Sequence, residues 1–186
     1  PLLDPHRAPP AVFGPRSVSP AAPTVLPHAH PHVHPPGPRE QWDTDPSAPD
    51  ERDGRLYAWG AADDKAGIAM HLGTLRALDS DLPVNIKVFI EGEEEIGSKH
   101  LAEFLAAYAD LLAADVIVIG DGGNWAPGVP GITTSLRGLV DCVVTARTIE
   151  YGVHSGSFGG AYPDAIIALS RTLAQLHDDD GAVAVP

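Results

Sequence analysis

The chain has 186 residues, 44% of them hydrophobic, and a formal net charge of −13. That length suffices for one domain or parts of two, and the acidic balance argues against nucleic acid or an anionic membrane as a partner, since both attract basic surfaces. The single cysteine excludes a disulfide framework within the chain. With neither an apolar run near the ~20 residues of a membrane span nor a signal-peptide core, the sequence predicts a soluble, cytoplasmic protein without a membrane partner.

Fourteen of the 19 prolines lie in residues 1–50. Proline lacks the N–H donor and fixes φ, so this segment is predicted to be mostly irregular, with one short strand near residues 24–26. Residues 27–37 read PHAHPHVHPPG. Imidazole is the commonest side-chain ligand of metals in proteins, so this stretch is a candidate metal-binding tract. Its histidines are His28, His30, His32 and His34.

From Asp53 onward helix and strand patterns alternate. Apolar residues at helical spacing predict a helix over 65–79, whose inner face would carry Ile68, Leu72, Leu75 and Leu78. A second helix is predicted over 98–114 with Ser98 as its N-cap. Apolar runs at 84–92 and 116–121 predict strands. This alternation predicts an α/β fold with a parallel or mixed sheet covered by helices.

The pattern changes after about Thr134. Residues 138–147 predict a strand, a loop of Gly, Ser and His occupies 152–160, and 163–178 predict a helix with Pro163 in its first turn. These elements would begin a second α/β unit.

Three acidic clusters lie where strands end or a helix begins. Asp63 and Asp64 precede the first helix, four glutamates follow the strand at 84–92, and Asp121 follows the next strand. Helix capping and solvated loops are the alternatives, yet crowded carboxylates repel one another unless a cation is present. Two strand ends would bring their carboxylates side by side if the strands are neighbours. Such oxygens suit zinc, manganese or magnesium, with zinc preferred if a histidine joins them.

Four stretches stand in order along the chain: DGRLYAWGAADDKAG (53–67), EGEEEIGS (91–98), TTSLRG (133–138) and GVHSGSFGG (152–160). Together they resemble the di-zinc metallopeptidases that include carnosinase, cytosolic non-specific dipeptidase, carboxypeptidase G, aminoacylase and succinyl-diaminopimelate desuccinylase, with wording most similar to the dipeptidase branch. The resemblance implies a zinc-peptidase-like α/β/α catalytic domain with an inserted ferredoxin-like lid that forms a homodimer.

On this basis the chain is expected to be an N-terminal fragment with three parts. Residues 1–50 would be a Pro-rich segment carrying a degenerate metal-histidine motif. Residues 51–134 would form part of the catalytic domain, and residues 135–186 the first part of the lid and dimerisation domain.

The resemblance also implies roles for individual residues. Asp63 would bridge two Zn²⁺ ions, for which Mn²⁺ or Co²⁺ are alternatives. Glu95 would bind one ion and Asp121 the other, while Glu94 would be the general base. His154 would be the lid histidine that reaches the partner subunit's active site and polarises the substrate carbonyl. Sequence alone does not separate adjacent carboxylates, so Asp64 could exchange roles with Asp63, and Glu93 with Glu94.

The sequence departs from the family pattern upstream. The family's His-x-Asp-Val-x-Pro motif aligns with HPHVHPP when Val33 and Pro35 are the anchors, which makes His30 a zinc ligand and leaves His28 and His34 as bystanders. His32 then stands where the family has an aspartate that orients the ligand, and loss of such a partner typically costs about 10–100-fold in metal affinity or activity. Pro27 and His28 also interrupt the approach, where a strand would lose ladder bonds.

Two further departures follow. Trp59 occupies a place where the family commonly has arginine. The family's remaining zinc ligand is a histidine after the lid, and no such residue is present before the chain ends at Pro186.

The predicted function is therefore hydrolysis of the amide bond of dipeptides or similar small amides by di-zinc-activated water, with small peptides as substrates. One alternative is a catalytically impaired homologue that acts at most as a metal-binding or dimerising chain. Another is that the histidine-rich stretch is an independent metal-buffering tract.

Overall fold

A computed structural model of the chain describes residues 2–3, 9–31 and 33–184. The chain divides into two compact units, Pro1–Thr133 and Thr134–Pro186. In the first unit, the strands are β1 (Leu2–Leu3), β2 (Ala11–Arg16), β3 (Thr24–Ala29), β4 (Asp50–Arg52), β5 (Arg55–Tyr57), β6 (Asn85–Ile90) and β7 (Val116–Ile119). Its helices are α1 (Lys65–Leu78), α2 (Leu101–Ala107) and α3 (Ala109–Leu112), and short 3-10 turns occupy Arg39–Gln41, Asp79–Asp81 and Glu94–Ile96. The second unit contains α4 (Ser155–Phe158) and α5 (Ala165–Ala174).

The main sheet of the first unit has five strands in the order β1-β2-β6-β3-β7. β2 runs antiparallel to β6, whereas β3 is parallel to both of its neighbours, β6 and β7. β4 and β5 form a separate hairpin. Its turn residues Asp53 and Gly54 both have positive φ, the pattern of a type I′ turn. The prediction of an α/β fold with a mixed sheet and helices is confirmed.

The expectation of a mostly irregular segment over 1–50 was wrong for β2. Ala11 and Phe13 alternate into the interior and are only 4% and 3% exposed, and this burial favours the strand despite the prolines. Pro15 lies within β2, beyond the residues that pair with β1 in the described structure. Because proline is tolerated at an unpaired strand edge, it does not disrupt the sheet there.

β3 continues through Pro27 and His28, where we expected an interruption. Its pairing with β6 skips Leu26 and Pro27, but pairing with β7 runs from Val25 to His28. β3 therefore loses ladder pairs with β6 at these two residues, and its continuous pairing with β7 keeps it in the sheet.

The hydrophobic core joins the sheet to α2 and α3. Phe89 of β6 stacks on Phe104 of α2 with ring centroids 5.3 Å apart. The buried cluster comprises Ala11, Phe13, Leu26, Phe89, Phe104 and Leu112. Apolar side chains from the Pro-rich segment, residues 1–50, and from the later α/β elements thus share one core.

α1 has the predicted extent but not the predicted inner face. Leu72 and Leu78 are 45% and 41% exposed, whereas Gly67 and His71 are buried. His71 Nε2–H donates a hydrogen bond to the carbonyl oxygen of His28 in β3, at 3.0 Å. A polar contact to the sheet backbone therefore orients α1. The spacing of apolar residues along the sequence could not reveal this contact.

The helix predicted over 98–114 is shorter and divided into α2 and α3. Ser98 has φ +45° and does not cap it. The strands predicted at 84–92 and 116–121 are present as β6 and β7, although all four residues of β7 are exposed at the edge of the sheet.

In the second unit, the strand predicted at 138–147 is wrong: these residues are described without a strand, and Leu139, Val140 and Val143 are at least 80% exposed. The helix predicted at 163–178 is present as α5, where the Asp164 carboxylate accepts hydrogen bonds from the N–H groups of Ile166 and Ile167. The domain boundaries and the ferredoxin-like character of the lid stay predictions. Across residues 2–3, 9–31 and 33–184, no helix is long and apolar enough to span a membrane.

We expect Phe13→Ala to lower the free energy of unfolding by about 3–5 kcal/mol, because it leaves a cavity beneath the sheet. Val12→Ala is the matched control, since Val12 is the next residue of β2 and 46% exposed; its effect should be within about 1 kcal/mol. Urea denaturation of both variants measures the difference. Equal losses would contradict the placement of β2 in the core.

Candidate metal centre

The carboxyl ends of the three parallel strands β3, β6 and β7 lie together at one end of the sheet. β3 lies between β6 and β7 and is parallel to both, so the residues that follow these strands lie together. His30 follows β3, Glu94 and Glu95 follow β6, and Asp121 follows β7. The carboxylates that follow β6 and β7 would lie side by side only if these strands were neighbours; β3 lies between them and places a histidine between their carboxylates.

His30 is fully buried, at 0% exposure, and its Nε2 faces three carboxylates. Nε2 lies 3.2 Å from Asp63 Oδ1, 3.6 Å from Asp121 Oδ2 and 3.7 Å from Glu94 Oε2. A tetrahedral ion with bonds of about 2.0–2.2 Å separates its ligand atoms by about 3.3–3.6 Å. The spacing and the donor types therefore fit a zinc-like ion.

Two overlapping sets of side chains in the described structure could each hold an ion. His30, Glu94 and Asp121 form the first set, and His30, Asp63 and Glu95 form the second. Within each set the potential ligand atoms lie within 4.8 Å of one another. All five side chains come from the predicted site, and the structure brings them together.

Asp64 anchors His30 to the start of α1. It is 1% exposed, and its carboxylate accepts hydrogen bonds from the His30 N–H at 3.2 Å and the Gly67 N–H at 3.0 Å. A Cβ at position 67 would collide with this carboxylate, so glycine is required there. Asp63, in contrast, has a 67% exposed side chain close to His30. The two adjacent aspartates thus have different surroundings, which sequence alone could not distinguish.

The adjacent glutamates also differ. The buried Glu93 carboxylate accepts hydrogen bonds from the backbone N–H of His100 at 3.0 Å and from its Nδ1 at 2.8 Å. Burial raises the pKa of Glu93, but the His100 hydrogen bonds outweigh burial and leave it lowered. Glu93 is therefore held as a carboxylate by His100, whereas Glu94 faces His30.

The crowding of carboxylates is reflected in the raised pKa values of Glu94 and Asp121. Burial raises the pKa of Glu94, and the nearby Asp121 and Glu95 charges raise it further, although His30 opposes them. Burial likewise raises the pKa of Asp121, with Asp64 and Asp63 adding to the effect. A bound cation would relieve this repulsion.

Two histidines that we expected to be bystanders contact acidic residues. His34 Nε2 lies 2.9 Å from Glu95 Oε2, and His28 Nε2 lies 3.3 Å from Glu91 Oε2. His34 therefore adds an imidazole on the Glu95 side of the cluster.

Two further residues, His32 and His154, belong to the predicted site. His32, at the position of the expected aspartate, falls outside the described residues. His154 belongs to the second unit, where it is exposed at the start of α4 and its Nδ1 accepts a hydrogen bond from the Gly156 N–H at 3.1 Å.

Residues 28–182 match the model of peptidase family M20/M25/M40. A cysteinylglycine-S-conjugate dipeptidase from Corynebacterium striatum is 43% identical over 167 residues, covering 88% of this chain and 37% of the relative. The chain thus spans less than two fifths of this relative's length.

Solved structures agree in fold. Human carnosine dipeptidase 1 matches 96% of this chain and 39% of its own, with 31% identity and a TM-score of 0.60. An M20 family metallo-carboxypeptidase from Sulfolobus solfataricus matches 94% of this chain and 40% of its own, with 26% identity and a TM-score of 0.71. The predicted resemblance to the dipeptidase branch is confirmed, and the chain belongs to peptidase family M20/M25/M40.

Proposed function

We propose that the chain carries the metal-binding part of a dipeptidase that hydrolyses the amide bond of dipeptides or similar small amides. The observation that carries the proposal is the buried His30 Nε2 with three carboxylate oxygens within 3.7 Å. The relatives named above as dipeptidases support this choice of substrate class. They also favour a hydrolase over the alternative of an inactive metal-binding chain.

Two zinc ions that share Asp63 are part of the proposal, and this sharing rests on the family resemblance. His30 and Asp121 would hold one ion, and Glu95 the other, with Asp63 between them. When bound, the pair of ions would lower the pKa of a water molecule and polarise the substrate carbonyl. The two ligand sets, which overlap at His30, support the presence of two ions, and an imidazole among carboxylates supports zinc.

Glu94 is the proposed general base. Its carboxylate lies beside His30 and is 40% exposed, so it can face both the cluster and the solvent. The raised pKa of Glu94 suits a group that accepts a proton from water and then delivers it to the leaving amine. A carboxylate with an ordinary, lower pKa is a weaker base and would accept that proton from water less readily.

His154 is the proposed donor to the substrate oxygen. Because its Nδ1 accepts a hydrogen bond, a neutral imidazole carries its proton on Nε2 and can donate from there. A donor of this kind stabilises the negative charge that develops on the carbonyl oxygen. Its action across a homodimer, formed through residues 135–186, rests on the family resemblance. The cytoplasmic location predicted from the sequence stays part of the proposal.

We expect Glu94→Gln to reduce dipeptidase activity by about 100-fold or more while zinc content stays unchanged, because the amide cannot accept the proton. The matched control is Glu103→Gln on the exposed side of α2. Kinetic assays with zinc analysis by mass spectrometry measure both properties. Parallel loss of zinc and activity would contradict the assignment of Glu94 as base.

We expect Asp121→Asn to raise the melting temperature of the metal-free chain at pH 7. Since the folded state raises the pKa of Asp121, its charge is destabilising above that pKa, and the penalty disappears as pH falls towards the unfolded value. For a partly exposed group the gain should be at most about 1 kcal/mol, or about 2–4 °C at this chain length.

The advantage of Asp121→Asn should shrink near pH 4, and with zinc present the variant should melt below wild type because a ligand is lost. Asp110→Asn, in α3, is the control. Calorimetry with and without zinc tests both expected changes in melting temperature, the rise without zinc and the fall with it. A metal-free variant that melts at or below the wild-type temperature would rule out repulsion at Asp121.

A further inference from the structure

A cavity of about 310 Å³ opens beside the metal centre. Asp63 and Glu95 line it and also belong to the second ligand set. The remaining lining includes the imidazole of His34 and is otherwise apolar, with the side chains of Val33, Trp42 and Trp59 among it. The volume lies at the lower end of the range for small-molecule sites, about 300–1,000 Å³.

The walls of this cavity are fixed by backbone contacts. Trp42 Nε1–H donates to the Pro36 carbonyl at 2.8 Å, and the Trp59 N–H donates to the Pro46 carbonyl at 2.8 Å. Gly60 has φ +70°, and a Cβ there would collide with Val33. Both tryptophans are half-buried, so the cavity is preformed, which lowers the entropy cost of filling it.

We propose that this cavity binds the apolar side chain of one residue of the dipeptide substrate, and that Trp59 determines the preference. The proposal rests on the proposed function, because Asp63 and Glu95 would be engaged by metal and leave a lining dominated by aromatic and aliphatic groups. Burial of an apolar side chain against indole rings is favourable, whereas a polar side chain would lose hydrogen bonds to water without replacement.

Binding is measured in the zinc-loaded full chain carrying Glu94→Gln, so that peptide is not consumed. Calorimetry compares glycyl-phenylalanine, phenylalanyl-glycine, glycyl-glycine and lysyl-glycine. We expect one phenylalanine dipeptide to bind about tenfold or more tightly than glycyl-glycine. Trp59→Ala should reduce that ratio to about threefold or less, and Trp59→Phe should retain most of it.

Trp125→Ala is the matched control, since Trp125 is 90% exposed and does not line the cavity; it should keep the full preference. Circular dichroism and zinc content confirm that each variant is folded. Equal affinities in the parent chain, a preference that survives Trp59→Ala, or tighter binding of lysyl-glycine would overturn the proposal. Selective binding without hydrolysis by the wild-type chain would refute only the proposed function, whereas hydrolysis without selectivity would refute only the role of the cavity.

Discussion

The hydrogen bond between the Asp64 carboxylate and the backbone N–H of His30 is the interaction on which the candidate metal centre depends. It ties the end of β3 to the first turn of α1, and thereby fixes both the buried histidine and the neighbouring Asp63. Gly67 is required for this approach because a side chain there would collide with the carboxylate. The local structure of this loop thus positions His30 and Asp63, and the ends of β6 and β7 position Glu94, Glu95 and Asp121.

Around this anchor the protein concentrates negative charge where burial makes it unfavourable. Raised pKa values at Glu94 and Asp121 reflect that conflict, whereas Glu91 and Glu93 are compensated by His28 and His100. The acidic residues therefore divide into two kinds: Glu91 and Glu93 contact His28 and His100, whereas Glu94 and Asp121 face His30. This division explains how an acidic loop can serve both folding and metal binding.

Much of this arrangement was predictable because its signals are local. Apolar runs predicted β6 and β7, and the motif resemblance predicted the convergence of His30 and four carboxylates. The errors arose where tertiary contacts override local pattern. Burial of Phe13 makes β2 a strand despite its prolines, pairing with β7 carries β3 through Pro27, and no period could show that Asp64 binds a backbone amide 34 residues away.

The most direct test of the account is a zinc-edge anomalous difference map from crystals of the full chain grown with zinc. The account predicts the strongest peak about 2.0–2.2 Å from His30 Nε2, between the carboxylates of Asp63 and Asp121. Peaks confined to exposed histidines such as His34, or no peak at His30, would contradict the assignment of the metal centre to the carboxyl ends of the parallel strands.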